Sequence, residues 1–250
     1  MPPADASAAS DAAPPEPGPG PTDPGAPTGT EDTLDLKLTE ELLALVAEDR
    51  SRAATGHGSE GGLLGDPASW SGATTEAGVF HLVPVVLERD LAVLSRWMND
   101  PAVAAFWELA GPESVTADHL RPQLAGDGRS VPCLGVLDGT PMSYWEIYRA
   151  DLDPLARHYP ARLHDTGIHL LIGGVGNRGR GVGTTLLRAV ADLVLDNLPR
   201  CGRVVAEPDL RNTPSVSAFL SAGFRFSAEV DLPDKRAALM IRDRTYRDHL

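Results

Sequence analysis

The chain has 250 residues, 42% hydrophobic and 23% charged, with a formal net charge of −13, which is room for one domain with a sizeable core plus extensions. The acidic balance argues against nucleic acid as a partner and is compatible with a cationic small-molecule substrate. Cys133 and Cys201 are the only cysteines and stand in apolar, strand-like settings, so neither a disulfide framework nor a metal site is expected, and no run approaches the ~20 apolar residues of a membrane span.

The first 33 residues hold nine of the 22 prolines, six acidic residues and no Lys or Arg. Such a composition cannot bury enough apolar surface to offset its ordering entropy, so residues 1–33 are expected to form a disordered acidic tail. The tail has neither the basic n-region nor the apolar h-region of a secretory signal, and a cytoplasmic location is expected. Residues 34–50 read as a short amphipathic helix, with Thr39 as N-cap, Glu40 and Glu41 in the first turn, and Leu42, Leu43, Leu45 and Val46 clustered. Residues 51–77, rich in Gly, Ser and Ala, read as a flexible linker. The folded domain, 78–250, is expected to begin at Gly78.

From there the order reads strand 79–87, helix 88–98, a helical segment near 116–125, strand 131–137, an Asp138-Gly139 hairpin and strand 141–149. After a loop come strand 165–173, a glycine-rich turn, a long helix, strand 202–207, helix 212–222, and strands near 224–231 and 236–242. A long helix between strands 165–173 and 202–207 implies a right-handed parallel crossover within a mixed sheet.

The segment DTGIHLLIGGVGNRGRGVGTTLLRAVADLVLDNL, Asp165 to Leu198, carries the most information. At period two, Ile168, Leu170 and Ile172 share one face of the strand, which leaves His169 with Leu171 on the other, free to face a ligand. Leu186, Leu187, Val190, Leu193 and Val194 form one apolar stripe on the following helix. Gly179, Gly181 and Gly183 therefore sit at a helix start, where free N–H groups and the helix dipole favour an anion such as a pyrophosphate. The spacing is neither G-x-G-x-x-G with a following acidic residue nor G-x-x-x-x-G-K-[ST].

Arg178-x-x-Gly181-x-Gly183 resembles the acetyl-coenzyme A turn, Q/R-x-x-G-x-G/A, of the GCN5-related N-acetyltransferase superfamily. In PDLRNTPSVSAFLSAGFRF, Asn212, Ser215, Phe219, Gly223 and Phe224 take the positions of that superfamily's N-x-x-A-x-x-x-Y-x-x-x-G-F pattern. Phe219 replaces the tyrosine that often protonates the leaving thiolate, so another group has to supply that proton. The resemblance implies an α/β (α+β) fold: a mixed, mostly antiparallel central sheet whose two parallel strands splay apart to hold acyl-pantetheine, flanked by helices. It implies acetyl-CoA or another acyl-CoA as co-substrate, held by Gly173, Arg178, Gly179, Arg180, Gly181, Val182, Gly183 and Asn212, the two arginines pairing with phosphates.

WMNDPAVAAFW (Trp97 to Trp107), SYWEIYRADLDPLARHY (Ser143 to Tyr159) and DTGIHLLIG together resemble the siderophore-biosynthesis acyltransferases, over residues 79 to 245. That branch implies acyl transfer to the amine or hydroxylamine of a lysine-, ornithine- or cadaverine-like molecule. It also points to His169 and Asp209 as the catalytic pair. Histidine, with an unperturbed pKa near ~6.5, can take the nucleophile's proton; Asp209, after the neighbouring parallel strand, can orient the imidazole, bind the amine or cap the next helix. Tyr144, Glu146 and Tyr148 share one face of their strand and suit an ammonium or hydroxylamine, with Trp97, Asn99 and Trp107 at the acceptor entrance. Two other readings stay open: an aminoglycoside 6′-N-acetyltransferase-like enzyme, although that group usually has an acidic residue at the His169 position and tyrosine at Phe219, and a non-catalytic coenzyme A-binding sensor. Acyl chain and oligomeric state, monomer or homodimer, are open.

Overall fold

Thr140–Arg149 is continuously buried from Met142 onward and Thr166–Ile172 is buried or half-buried throughout, which places these two strands at the centre of the domain, with helices packed on both faces. The structure is a computed structural model that describes residues 62–247; the expected tail, the helix at 34–50 and the start of the linker lie outside the described residues. The strands are β1 Ala73–Thr75, β2 Gly78–Pro84, β3 Ser130–Leu137, β4 Thr140–Arg149, β5 Thr166–Ile172, β6 Arg203–Ala206, β7 Arg225–Asp231 and β8 Arg236–Asp243. They form one eight-stranded sheet in the order β1-β2-β3-β4-β5-β6-β8-β7. All neighbouring pairs are antiparallel except β5 and β6. The mixed sheet and its parallel crossover follow the expectation.

The helices are α1 Leu87–Met98, α2 Pro101–Trp107, α3 Glu113–Leu124, α4 Val182–Asn197 and α5 Thr213–Ser221. On one face of the sheet, Trp145 and Ile147 of β4 and Ile168 of β5 pack with Leu186, Leu187, Val190 and Val194 of α4. On the other, Tyr144 and Leu171 pack with Leu94, Trp97 and Met98 of α1, Val103 of α2 and Leu120 of α3. The α4 stripe is thus the buried stripe that its spacing predicts.

Two elements were not expected. α2 starts at an Asp100 N-cap, whose carboxylate accepts from the Ala102 N–H, with Pro101 at the first helical position; this Asp-Pro start signal is readable in the sequence. The segment 62–77 is not a linker. Leu64 and Trp70 are buried in the main core, and Ala73–Thr75 pairs with β2 as an edge strand, so the folded domain begins before Gly78. At the Asp138-Gly139 turn both residues have positive φ, 45° and 78°, the geometry that a two-residue hairpin needs to match strand twist.

The parallel ladder between β5 and β6 is short. Thr166 pairs with Val204 and Gly167 with Val205, and the strands then part. β5 continues to Ile172 along β4, while the chain after β6 turns toward β8, where the Ala238 N–H donates to the Pro208 carbonyl at 2.9 Å. The parting opens a wedge, with His169 on one wall and Glu207 on the other. No helix among the described residues is long and apolar enough to cross a membrane.

Candidate active site

Antiparallel pairing puts Glu146 of β4 directly opposite His169 of β5, and directly opposed residues project from the same face. The His169 Nδ1–H donates to Glu146 Oε2 at 2.8 Å. Its Nε2–H donates across the wedge to Glu207 Oε1 in a short hydrogen bond. An ionised carboxylate only accepts, so a ring held between two of them carries both protons and is an imidazolium.

Each carboxylate is held from behind. Glu146 Oε1 accepts from His119 Nε2 of α3 at 2.5 Å, from the Tyr144 hydroxyl at 2.8 Å and from Gln123 at 2.9 Å. Glu207 Oε2 accepts from the Tyr148 hydroxyl at 2.8 Å, and Lys235 Nζ, from the β7–β8 turn, stands 3.6 Å from Oε1. Gly167 makes room for this arrangement: a Cβ there would lie 2.0 Å from Cζ of the Tyr148 ring.

The electrostatics follow. Burial works against a charged His169, but the Glu207 charge and the hydrogen bonds to Glu146 and Glu207 outweigh it and raise its pKa to about 10. Burial likewise opposes ionisation of Glu207, yet the His169 charge and hydrogen bond hold its carboxyl down to about 2. For Glu146, the hydrogen bonds of His119 and His169 overcome burial and keep it well below the usual carboxylate range. Burial, then the adjacent carboxylates, push the Tyr144 and Tyr148 hydroxyls up.

The wedge encloses a cavity of about 270 Å³ whose walls include Trp107, His119, Glu146, His169, Glu207 and Phe219. The His169 side chain keeps 35% of its surface accessible, against 7% for Glu146 and 6% for Glu207, so the imidazole is the member of the trio most open to a ligand. A larger groove of about 840 Å³ between β1 and α4 contains none of these groups.

Several expected site residues take other places. Asp209 lines the cavity, but its carboxylate accepts from the Arg211 N–H at 2.7 Å and pairs with the Arg211 guanidinium at 2.6 Å. That guanidinium holds it below the usual range, and the imidazole partner after β6 is Glu207, two residues earlier. Tyr144 and Tyr148 are buried and serve Glu146 and Glu207 rather than the acceptor. Trp107 does line the cavity, its ring 6.2 Å from that of His169. Trp97 is buried, and a Cβ on Gly173 would lie 2.1 Å from its Cε2, so it supports the end of β5. Asn99 pins a loop through both polar atoms, to Gly111 and to the Ser95 carbonyl. Glu207 and His119 were missed because each makes its contacts across strands or from another helix; the period-two face of β4 did point to Glu146.

The turn before α4 fits a diphosphate. Gly179 and Gly181 have φ of 70° and 81°, a region that disfavours side chains, and a Cβ on either would meet nothing within 4 Å. The first bond within α4 runs from the Thr185 N–H to the Gly181 carbonyl, which leaves the N–H groups of Val182, Gly183 and Thr184 outside the helical ladder. Arg178 is not turned to this turn's open side. Its guanidinium donates to the Ile172 and Gly173 carbonyls at 2.9 and 3.2 Å and pairs with Asp100 at 3.0 Å, tying β5 to the start of α2. Arg180 donates to the Gly176 carbonyl at the surface. Asn212 caps α5 through the Ser215 N–H at 3.2 Å and also borders the cavity.

A model of the acetyltransferase (GNAT) domain matches residues 86–232. The chain is 38% identical over 150 residues to lysine N-acyltransferase MbtK of Mycobacterium tuberculosis (strain ATCC 25618 / H37Rv), over 60% of this chain and 71% of that one. It is 38% identical over 155 residues to the N(6)-hydroxylysine O-acetyltransferase of Escherichia coli, spanning 62% of this chain and 49% of that longer protein. Among solved structures, the aminoglycoside acetyltransferase AAC(6′)-Ib in complex with coenzyme A superposes with a TM-score of 0.60 at 26% identity, over 68% of this chain and 98% of that one. With the split parallel strands and the glycine turn, these matches show that the chain belongs to the GNAT acetyltransferase family and is an acyl-CoA-dependent N-acyltransferase.

Proposed function

We propose that the protein transfers an acyl group, acetyl or succinyl, from acyl-CoA to the amine or N-hydroxyamine nitrogen of a lysine-, ornithine- or cadaverine-like acceptor, in the assembly of a hydroxamate siderophore. The observation that carries this reading is the placement of His169, flanked by Glu146 and Glu207, in a cavity of about 270 Å³ inside the wedge. That volume lies just below the usual range of ligand pockets, about 300–1,000 Å³, and suits a linear amine better than a multi-ring sugar. The 38% identity to a lysine N-acyltransferase, against 26% to an aminoglycoside acetyltransferase, supports the same choice.

The co-substrate supplies a thioester carbonyl carbon and a thiolate leaving group. In its neutral form with the proton on Nδ1, His169 is oriented by Glu146 and presents a lone pair at Nε2 to the cavity. It accepts the acceptor's N–H proton as nitrogen bonds to the carbonyl carbon, and gives that proton to sulfur as the C–S bond breaks. One imidazole thus does both transfers, which accounts for a phenylalanine at position 219: Phe219 is 2% exposed and packs edge-on against Phe224, with no proton to offer. A hydroxylamine nitrogen arrives largely unprotonated, whereas an alkylamine of pKa about 10.4 first has to lose a proton.

The test is thiol release from acetyl- and succinyl-CoA with hydroxylysine, hydroxyornithine, hydroxycadaverine, lysine and kanamycin as acceptors. A preference for the hydroxylamines supports the proposal and identifies the acceptor; turnover of kanamycin alone overturns it.

A further inference from the structure

Glu207 has no part in the expected pair of catalytic residues, yet it is the carboxylate that closes the hydrogen-bond chain around His169. Its Oε1 accepts the Nε2–H and its Oε2 accepts the Tyr148 hydroxyl. Both His169 nitrogens are therefore occupied, and the nitrogen facing the wedge has no lone pair for an acceptor's proton. The site as it stands binds its own imidazolium. A cationic or N–H-donating acceptor entering the cavity meets the same carboxylate, because Glu207 is part of the cavity wall.

We propose that Glu207 is at once the binding group for the acceptor nitrogen and a latch on the base: the acceptor's N–H donor takes over Oε1, and the displaced His169 Nε2–H proton leaves to water. This rests on the amine-acceptor reading above. His169 is then neutral, its remaining proton on Nδ1 donated to Glu146, and Nε2 is free for the proton of the attacking nitrogen. The proton balance closes: one proton leaves at binding, and the nucleophile's proton passes through Nε2 to sulfur. An alkylammonium acceptor sheds one further proton to water before attack. Until an acceptor occupies the wedge, no free base faces the thioester, which protects the acyl donor from hydrolysis.

The groups around the imidazole set what the latch has to overcome. Glu146 and Tyr148 face it from β4, Glu207 from the segment after β6, and Trp107 from α2. His119 of α3 reaches it through Glu146, Lys235 of the β7–β8 turn through Glu207, and Asp153, from the loop after β4, adds a further acid whose own ionisation burial disfavours. Removal of the Glu207 charge leaves Glu146 as the one carboxylate in contact with the ring.

The test is NMR titration of the His169 imidazole in the ¹⁵N-labelled full chain. It is run free, with coenzyme A plus lysine, 1,5-diaminopentane or hydroxylysine, and in Glu207→Gln and Glu207→Asp. The expected result is a ring still protonated at pH 8 in the free protein, with the midpoint lowered by at least about one unit, a tenfold change in proton affinity, in Glu207→Gln and on acceptor binding. Glu207→Asp, which keeps the charge on a shorter arm, falls in between. A midpoint unmoved by either Glu207→Gln or the acceptors overturns the proposal. Thiol release on the same samples separates the two failures: acceptors consumed with an unmoved midpoint refute the latch and leave the acyltransferase reading, whereas a lowered Glu207→Gln midpoint with none of them consumed refutes the acceptor assignment and leaves Glu207 as the group that sets the His169 charge.

Discussion

Glu146 and His169 are cross-strand partners in the β4–β5 ladder, and their side chains meet at 2.8 Å between Oε2 and Nδ1. This contact is written into the sheet register: a slip of β5 by one residue would send His169 to the opposite face, away from Glu146. Glu146 is therefore an orienting group for the imidazole. Glu146→Gln should keep the fold and lower kcat while leaving the Kd for acyl-CoA unchanged, because an amide can present its NH2 to Nδ1 and favour the wrong tautomer. Steady-state kinetics with parallel calorimetry checks this; an unchanged kcat would exclude the orienting role.

Replacing His169 by alanine removes the imidazole to which the proposed mechanism assigns both proton transfers. The expected loss in kcat is about 10²–10⁴-fold, the usual contribution of a general acid–base, with acyl-CoA binding intact. Equal rates would remove His169 from the mechanism.

Stability should also report the His169–Glu207 pair. His169 is raised to about 10 in the folded protein, so its contribution is fully present below the unfolded value of ~6.5 and is lost as pH rises through about 10. Glu207 is lowered to about 2, so its contribution is present above ~4.3 and is lost as pH falls through about 2. The melting temperature should decline on both sides of that window, and His169→Gln should flatten the alkaline slope. A slope that persists in the variant would assign it to other groups.

At the glycine turn before α4, Gly181 has φ 81° and is the N-cap of that helix. A β-branched residue there adopts a left-handed conformation at a cost of roughly 1–2 kcal/mol and fills the open space before the helix N–H groups. Gly181→Val should raise the KM for the acyl donor more than it lowers kcat, and an unchanged KM would contradict the diphosphate assignment.

The edge of the domain offers a separate test. Trp70 is 8% exposed and belongs to the main core, so Trp70→Ala should destabilise by about 3–5 kcal/mol, as for other buried aromatic truncations. Chemical denaturation measures this directly, and a loss below about 1 kcal/mol would mean that residues 62–77 add little to the core.

Local pattern determined much of this protein. The period-two faces of β4 and β5, the apolar stripe of α4, the Asp138-Gly139 turn and the glycines before α4 are legible because each depends on backbone geometry over a few neighbouring residues. α2 was not among the expected elements, although its Asp100-Pro101 start obeys the same local rule. Residues 62–77 read as a linker because Leu64 and Trp70 are isolated apolar residues among Gly, Ser and Ala, and their burial comes from joining a core that draws residues from as far along the chain as α4 and β8. Only the tertiary structure decided the charge pattern of the site. Glu207 reaches His169 because β6 runs parallel to β5 for two residue pairs and then parts from it, and His119 reaches Glu146 because α3 packs over that face of the sheet. Asp209 instead pairs locally with Arg211, two residues on, while the packing of α2 against the end of β5 turned Arg178 inward onto Ile172 and Asp100. Which carboxylate meets an imidazole depends on strand divergence and helix packing, distances that no spacing along the chain encodes.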